Sequence, residues 1–241
     1  MPPWLISLES CPSTNTWAME RWAALAHGAV VWTEQQTAGR GRNGHTWQAP
    51  PGVLTASIIL HHRSGFLGDA GAIALVAGLA VALACEDLVP GLQVDLKWPN
   101  DALVNHRKLA GILCERPDSG VVVVGIGLNI DPRWGDDHRA LPVATQATSL
   151  AEHGPPPTAL AVLTRLRRYL DEGAGLLDRK GLGPLLPGLE ARDALFGRVC
   201  VVATGDGEIR GIGAGIDAQG RLLLKTGQTV TPIASGHITA W

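Results

Sequence analysis

The sequence has little cysteine and no segment typical of export or membrane insertion. Its four cysteines, Cys11, Cys85, Cys114 and Cys200, are far apart and form neither a CxxC pair nor a zinc-type spacing with histidine. We therefore expect them to be reduced. The first residues lack a positive segment followed by an apolar one, and the apolar run 70–84 is shorter than the roughly 18 residues of a spanning helix. The sequence predicts a soluble, cytoplasmic protein without a membrane partner.

An excess of charge of either sign is also lacking. The chain has 20 basic and 22 acidic residues and a formal net charge of −2 at pH 7. Because nucleic-acid binders need a basic excess to neutralise phosphates, we expect no nucleic-acid partner. Only four of the 20 basic residues are lysine, which a general preference for arginine explains. Two of the four, Lys97 and Lys108, nevertheless lie within one short segment.

The 241 residues do contain enough apolar side chains for a large core, at 46% hydrophobic and 17% charged. This length allows one large domain or a medium domain with a small companion. Helices are predicted from the polar cap Ser13 to a glycine stop at Gly28, over the buried Ala-rich run 67–88, and over 157–177. Strand patterns lie at 29–32, 53–60, 94–97, 102–104, 109–114 and 121–125, and the segment 35–52 is predicted to be a long loop.

The texture changes after about residue 190. Five short strand patterns, at 198–203, 208–216, 221–225, 228–232 and 237–240, are separated by glycine-rich turns. Regular short strands of this kind are typical of a small barrel or sandwich. The sequence thus predicts an α+β domain over 1–190 and a small all-β domain over 191–241.

A glycine- and arginine-rich segment, GRGRNGHTW at 39–47, is the first candidate for chemistry. Alternating glycines let a backbone approach a ligand closely, and arginine guanidinium groups bind phosphate or carboxylate oxygens. A flexible loop with solvated arginines is an alternative. An RNA-binding loop is another, although Trp47 is the single aromatic residue available there for stacking.

Three further segments are candidates for chemistry alongside the arginine-rich one. KWPND at 97–101 and KLAGILCE at 108–115 are predicted to lie on strands joined by a tight turn, an arrangement that can bring Lys97, Asp101 and Lys108 close together. A simple ion pair on a hairpin explains this as well as a phosphate-binding site does. The strand VVVVGIGLNID at 121–131 ends in GxGxN, which suits a ligand lying against backbone or, alternatively, a glycine-bent strand.

Together the motifs STN, QxxGRGRxGxxW, KWPND, KLAGILxE and GxGxN occur in this order over about 120 residues. In this respect the chain resembles the biotin protein ligases (biotin–acetyl-CoA-carboxylase ligases), and the resemblance covers nearly its whole length. It implies a mixed-sheet, class II synthetase-like catalytic domain and an SH3-like C-terminal barrel. Family enzymes use Mg²⁺ and ATP to convert biotin to biotinyl-5′-AMP, and they then biotinylate one lysine of a biotin carboxyl carrier domain.

The resemblance also implies roles for individual residues. Arg42 holds the reacting phosphate and retains the adenylate, Lys108 stabilises the transition state, and Asp101 orients the acceptor amine. Ser13, Thr14 and Gln36 bind the ureido ring. The implied biotin-binding residues are Ser13, Thr14, Asn15, Gln36, Gly39, Arg40, Arg42, Trp47, Lys108, Gly111 and Gly127. The implied ATP-binding residues are Arg40, Arg42, Trp47, Asn100, Lys108 and Asn129, with Mg²⁺ held through the ATP phosphates.

The chain departs from the family pattern at two places. The STN motif begins at residue 13, so we expect no winged-helix DNA-binding domain before it and no repressor activity. Some members place a tryptophan over the adenylate after GxGxN, whereas residues 146–150 contain no aromatic residue and Trp134 is the nearest substitute. Lipoate or octanoate transfer and a non-enzymatic biotin sensor remain the alternatives, and the protein is expected to be a monomer or a homodimer.

Overall fold

A seven-stranded mixed sheet forms the centre of the protein, for which a computed structural model describes residues 1–61, 70–133 and 147–241. The strands of the first part of the chain are β1 (Leu5–Cys11), β2 (Val30–Gln36), β3 (Gly39–Arg40), β4 (Thr46–Trp47), β5 (Val53–His61), β6 (Asp95–Lys97), β7 (Asp101–Val104), β8 (Arg107–Asp118) and β9 (Val121–Asn129). Their order in the large sheet is β1-β2-β5-β9-β8-β7-β6, while β3 and β4 form a separate two-stranded ribbon. Only β1 and β2 pair in parallel among these strands, so the sheet is mixed as predicted.

Helices cover both faces of this sheet. On one face lie α2 (Ala70–Leu88), α3 (Ala159–Lys180) and the short α4 (Leu186–Glu190), which share the main core with the sheet. On the other face α1 (Thr14–Arg21) packs over a smaller core that includes Val31 and Val123. Over 71–88, α2 is long and apolar enough to cross a membrane, but 72% of this stretch is buried inside the protein. It is therefore placed as the core helix that the sequence predicted.

A second, five-stranded antiparallel sheet follows. Its strands are β10 (Val199–Thr204), β11 (Gly207–Ile216), β12 (Leu222–Thr226), β13 (Thr229–Ile233) and β14 (His237–Ala240), in the order β13-β12-β11-β10-β14. All five predicted strands are confirmed to within one or two residues. Within residues 147–241, the outer strands β13 and β14 do not pair with each other, so the hydrogen-bonded sheet is open.

The second sheet is joined to the first through the chain that precedes it. The Leu96 amide donates to the Arg192 carbonyl at 2.6 Å, and the Ala194 amide donates to the Leu96 carbonyl at 3.0 Å. The Trp98 indole donates to the Gly220 carbonyl at 3.1 Å. Side chains of the second sheet thereby enter the main core, and the boundary at residue 190 remains a prediction.

Several predicted elements differ in extent, and β8 and β9 are each longer than the predicted strands 109–114 and 121–125. The segment 35–52 is not a simple loop, because β2 runs on to Gln36 against β1 and the segment then carries the β3–β4 ribbon. The first helix ends at Arg21 and continues as one tighter turn over Trp22–Ala24. Residues 67–69 of the predicted second helix lie outside the described residues, as do Trp134 and Gln146.

Candidate active site

The register of the large sheet lines up the three sequence motifs. Gly127 of β9 pairs with Gly111 of β8, Gly111 pairs with Asp101 of β7, and Asp101 pairs with Lys97 of β6. Directly opposed residues point to the same face of a sheet. GxGxN, KLAGIL and KWPND therefore contribute one continuous row of residues to the face that α1 covers.

Glycine in this row leaves space for two side chains from elsewhere. A Cβ at Gly125 would overlap the Asn15 amide, whose Cγ would lie only 2.8 Å away, and a Cβ at Gly127 would overlap the indole of Trp47. At Gly111 a Cβ would lie 3.2 Å from both the Trp47 ring and the Lys108 side chain. The three glycines form a floor on which these side chains rest.

A buried polar cluster lies at one end of the floor, at the start of α1. Ser13 caps the helix, as the sequence predicted, by accepting from the Thr16 amide. The Thr14 amide donates to Gln36 Oε1 at 3.0 Å, and Ser57 Oγ lies 2.8 Å from Thr14 Oγ1. Ser13, Thr14 and Ser57 are each less than 5% exposed. These residues form a small buried cluster of polar groups, which we call the polar pocket.

Residues 39–47, which we call the arginine loop, contact that cluster. A Cβ at Gly39 would overlap the Trp47 carbonyl and lie 2.7 Å from Gln36 Nε2, so the β3–β4 ribbon sits tightly on β2. Arg40 Nη2 lies 2.9 and 2.8 Å from the two carboxylate oxygens of Glu115. Glu115 Oε2 also accepts from Asn15 Nδ2 at 2.8 Å. Arg40 is thus paired with a carboxylate of the KLAGILCE motif.

The other end of the floor is cationic. Lys108 Nζ lies 2.5 Å from Asp101 Oδ1, a contact with the separation of an ion pair but without the angles of a hydrogen bond. The same Nζ is 5.7 Å from the centroid of the Trp47 ring. Arg42 Nη1 reaches Asn100 Oδ1 at 3.4 Å, and Asn100 in turn donates to a backbone carbonyl of β8. The sequence-predicted catalytic residues are therefore brought together.

Burial changes the titration of two of these cations. It lowers the pKa of Arg42, against the attraction of the Asp101 carboxylate. It also lowers the pKa of Lys97, again with Asp101 acting in the opposite direction and with Lys108 adding to the decrease. Partly dehydrated cations held beside a single carboxylate are arranged to receive an anionic ligand.

Asn129 lies at the edge of the site with its amide group already engaged. Its Nδ2 donates to the Thr148 carbonyl at 2.9 Å and to the Lys108 carbonyl at 3.3 Å. Thr148 also donates its backbone amide to the Lys108 carbonyl at 2.9 Å. The visible role of Asn129 is to fix the backbone beside Lys108, and its assignment to ATP binding remains a prediction.

The second sheet contributes residues that sequence reasoning missed. The His237 ring lies 6.1 Å from the His45 ring, and the Trp241 ring lies 5.6 Å from Lys97 Nζ. Burial lowers the pKa of His237, and the nearby Lys97, His45 and Arg42 lower it further while Asp101 opposes them. His45 lies within the quoted segment GRGRNGHTW, but no motif signals its contact with His237, because distant parts of the chain form that contact. Ser57 and Glu115 were missed as site residues as well, although Glu115 ends a quoted motif.

A groove of about 690 Å³ lies beside this site and is distinct from it. Its walls include Trp32, Leu54 and Ile130, which belong to the core side of the sheet that faces α2 and α3. Gln36 is the one lining residue that it shares with the predicted site. We therefore place the candidate site on the opposite face, over the glycine floor.

The described part of the chain shows no ready-made cluster of metal ligands. Among residues 1–61, 70–133 and 147–241, no group of three or more His, Cys, Asp or Glu side chains is arranged to hold a metal ion. Mg²⁺ retains waters and binds phosphate oxygens readily. The residues present thus fit an ion that arrives with a phosphate ligand better than one held by the chain.

Comparison with known proteins agrees with this geometry. The biotin/lipoate A/B protein ligase family matches residues 7–131, and the biotin protein ligase C-terminal domain matches 195–238. The chain is 36% identical over 234 residues to a biotin–[acetyl-CoA-carboxylase] ligase of Paracoccus denitrificans, covering 92% of this chain and 95% of that protein. A ligase of the same name from Mycobacterium tuberculosis is 36% identical over 237 residues, covering 94% and 85% of the two chains.

The fold is similar to solved structures as well. Biotin protein ligase from Aquifex aeolicus in complex with biotin and ATP superposes with a TM-score of 0.85 at 27% identity, covering 98% of this chain and 97% of the other. The motif order, the sheet register and both matched domains indicate the same family. The chain belongs to the biotin/lipoate A/B protein ligase family and, within it, to the biotin protein ligases.

Proposed function

We propose that this protein is an ATP-dependent biotin ligase that converts biotin to biotinyl-5′-AMP and transfers the biotinyl group to a lysine of a carrier domain. The observation that carries the proposal is the glycine floor, which has a buried polar pocket at one end and a cationic cluster at the other. A ligand with a small polar head, a thin body and a carboxylate fits this order of groups. The curated relatives are named for the same reaction.

The polar pocket orients the substrate. Ser13, Thr14 and Gln36 offer hydroxyl, amide and carbonyl groups to the ureido ring of biotin, and Ser57 supports Thr14 from below. Buried polar groups cost free energy unless they are paired, so this pocket favours a head group that hydrogen-bonds and disfavours an alkyl chain. The pocket therefore supports biotin over lipoate or octanoate.

Adenylate formation takes place at the cationic end. A carboxylate oxygen of biotin attacks the α-phosphorus of ATP, a new oxygen–phosphorus bond forms, and the bond to the β,γ-pyrophosphate breaks. Lys108 and Arg42 stabilise the negative charge that accumulates on the phosphate oxygens. Trp47 covers the floor beside them and excludes water, which would otherwise hydrolyse the acyl-adenylate.

Transfer uses the same arrangement. The neutral ε-amine of the acceptor lysine attacks the acyl carbon and the amide bond forms. AMP leaves with the electron pair of the broken mixed-anhydride bond, and the amine releases one proton to solvent. Asp101 accepts a hydrogen bond from the incoming amine and orients it, and Lys108 offsets the charge of the departing phosphate. Mg²⁺ bound to the ATP phosphates supplies additional charge neutralisation when it is present.

A biotin carboxyl carrier domain of an acetyl-CoA carboxylase is the proposed acceptor, in line with the names of the relatives. We further propose that the reaction takes place in the cytoplasm, without nucleic acid or membrane. The protein is proposed to act as a monomer or a homodimer.

The test is to supply purified protein with Mg²⁺, ATP and a carrier domain, together with biotin, lipoate or octanoate. We expect a mass gain on the carrier with biotin alone, and a gain with lipoate alone would refute the proposal.

In ATP–pyrophosphate exchange, the biotin-dependent rate of Lys108→Met should be at least about 100-fold lower than that of the wild type. Lys180→Met, at an exposed position of α3, is the control and should retain it. Undiminished exchange in Lys108→Met would contradict the role of Lys108.

A further inference from the structure

A chain of hydrogen bonds links the buried polar pocket to the arginine loop through one carboxylate, that of Glu115. Ser57 Oγ lies 2.6 Å from Asn15 Oδ1, and Asn15 Nδ2 donates to Glu115 Oε2 at 2.8 Å. Glu115 then pairs with Arg40 through both of its oxygens. The connection crosses from the start of α1, over β8, to the β3–β4 ribbon.

The Asn15 end of this chain is rigid. The Asn15 amide is 3% exposed, lies on the space left by Gly125, and donates a second hydrogen bond to the Leu113 carbonyl at 3.1 Å. A side chain with its donors and acceptor all engaged in a closed site has a single orientation. Glu115 is therefore held from this side before Arg40 is considered.

The Arg40 end is the more exposed one. The Arg40 side chain is 47% exposed, whereas that of Glu115 is 21% exposed. Residues 43–46, which follow in the same loop, are exposed. A charge-assisted hydrogen bond from an exposed arginine to a fixed carboxylate holds the loop more strongly than a pair of two exposed side chains does, because one partner has already lost its freedom.

We propose that Glu115 is a positioning residue that anchors Arg40 and so keeps the arginine loop closed over the reactive adenylate. This rests on the proposed function and adds a residue to it. It also revises the role of Arg40, which was expected to bind biotin and ATP. Arg40 then mainly holds the loop in position, and Arg42 and Lys108 contact the phosphates. Because the same carboxylate holds Asn15, a disturbance in the polar pocket is transmitted to the loop.

Glu115→Gln tests the anchor with little change in shape. Glutamine can still accept from Asn15, but it loses the charge that holds Arg40. We expect release of biotinyl-AMP from the enzyme, followed by rapid dilution, to accelerate by about tenfold. We also expect the KM for ATP to rise while the KM for biotin changes little, since the polar pocket remains intact.

The matched control is Glu86→Gln. The Glu86–Arg192 pair lies 2.6 Å apart with both side chains 22% exposed, so it is buried to the same degree as Glu115 but far from the floor. Its loss should lower stability without accelerating adenylate release. If Glu86→Gln releases the adenylate as fast as Glu115→Gln, the effect is a general loss of stability and the proposal is wrong.

Two readouts separate this proposal from the proposed function. Trypsin cleavage after Arg42 in the ligand-free protein should be faster in Glu115→Gln and equally fast in Arg40→Gln, because both open the loop. The double variant should be no worse than the single variants, as expected when two residues act through each other. Additive effects, or wild-type cleavage rates, would overturn the anchor, whereas a wild-type protein without biotin-dependent exchange would instead overturn the proposed function.

Discussion

Trp47 and Lys108 lie where they do because residues beneath them lack side chains. At Gly127 and Gly111 a β-carbon would occupy space that the indole and the lysine stem now fill. The indole in turn places a π-face 5.7 Å from the ammonium group of Lys108, whose side chain is 38% exposed. A cation–π contact of this kind adds a modest attraction. The two glycines of the floor thus set the positions of the Trp47 ring and the Lys108 ammonium group.

His237 makes a prediction about pH at this scale. Its pKa is lowered from 6.5 by burial, then by Lys97 and His45 and more weakly by Arg42, while Asp101 acts against them. Folding therefore favours the neutral ring, and the unfolded chain binds a proton at a pH where the folded protein does not. Stability contributed in this way is present above 6.5 and is lost as the pH falls through and below that value.

His237→Gln should therefore reduce the acid sensitivity of the protein. We expect the free energy of unfolding, measured with urea at about pH 7.5 and about pH 5.5, to fall less in the variant than in the wild type. The effect should be small because the ring is largely exposed. An equal or larger loss in His237→Gln would contradict the assigned direction.

At the scale of elements, α2 and α3 pack closely because Gly173 lies at their contact. A Cβ at this position would lie 2.7 Å from Val76 Cγ1, which is too close for an ordinary contact. We expect Gly173→Ala to lower the free energy of unfolding by roughly 1–3 kcal/mol through overpacking, despite the better helix propensity of alanine.

The control for this prediction lies in the same helix. At Gly175 the nearest atom to an added Cβ is the flexible Arg179 guanidinium, at 3.1 Å. Gly175→Ala should gain up to about 1 kcal/mol from helix propensity alone. Chemical denaturation of both variants decides the matter, and a stabilised Gly173→Ala would show that the two helices can separate without cost.

Elements with local signals could be predicted from the sequence. Ser13 and Thr158 cap their helices through side-chain oxygens, and Asn105 and His106 form the hairpin turn with positive φ values of 50° and 64°. The order of the motifs then predicted the family to which the chain belongs.

The rest depended on pairings between distant parts of the chain. Ser57 reads as one polar position within an apolar strand, and only its register opposite Gly125 places it beneath Thr14 and Asn15. Glu115 follows Cys114 on a strand whose bulge, between Glu115 and Asp118, no local pattern indicates. Register and docking are long-range properties, and short windows of sequence carry little information about them.

At the scale of the whole molecule, the two sheets share one core. Leu195, Cys200 and Leu222 belong to the same buried cluster as the residues of α2, and Gly220 approaches Leu75 of that helix. The backbone of 192–194 extends the large sheet along β6. Two units with a continuous apolar interior are expected to unfold together, even where sequence texture separates them.

Trp98 is the sharpest point at which to test this coupling, since its buried indole N–H donates to the Gly220 carbonyl between the two sheets. Trp98→Phe keeps an aromatic ring but leaves that carbonyl without its donor, which should cost about 1–3 kcal/mol. We expect wild type and variant each to show one urea transition, the same by fluorescence and by hydrogen exchange in β10–β14, with the midpoint of the variant lowered for both probes. Two outcomes would contradict the coupling: separate transitions for the two sheets, or an effect of Trp98→Phe confined to the second sheet. Either would mean that the small sheet folds independently and only contacts the active site. The common core would then not hold His237 and Trp241 in place.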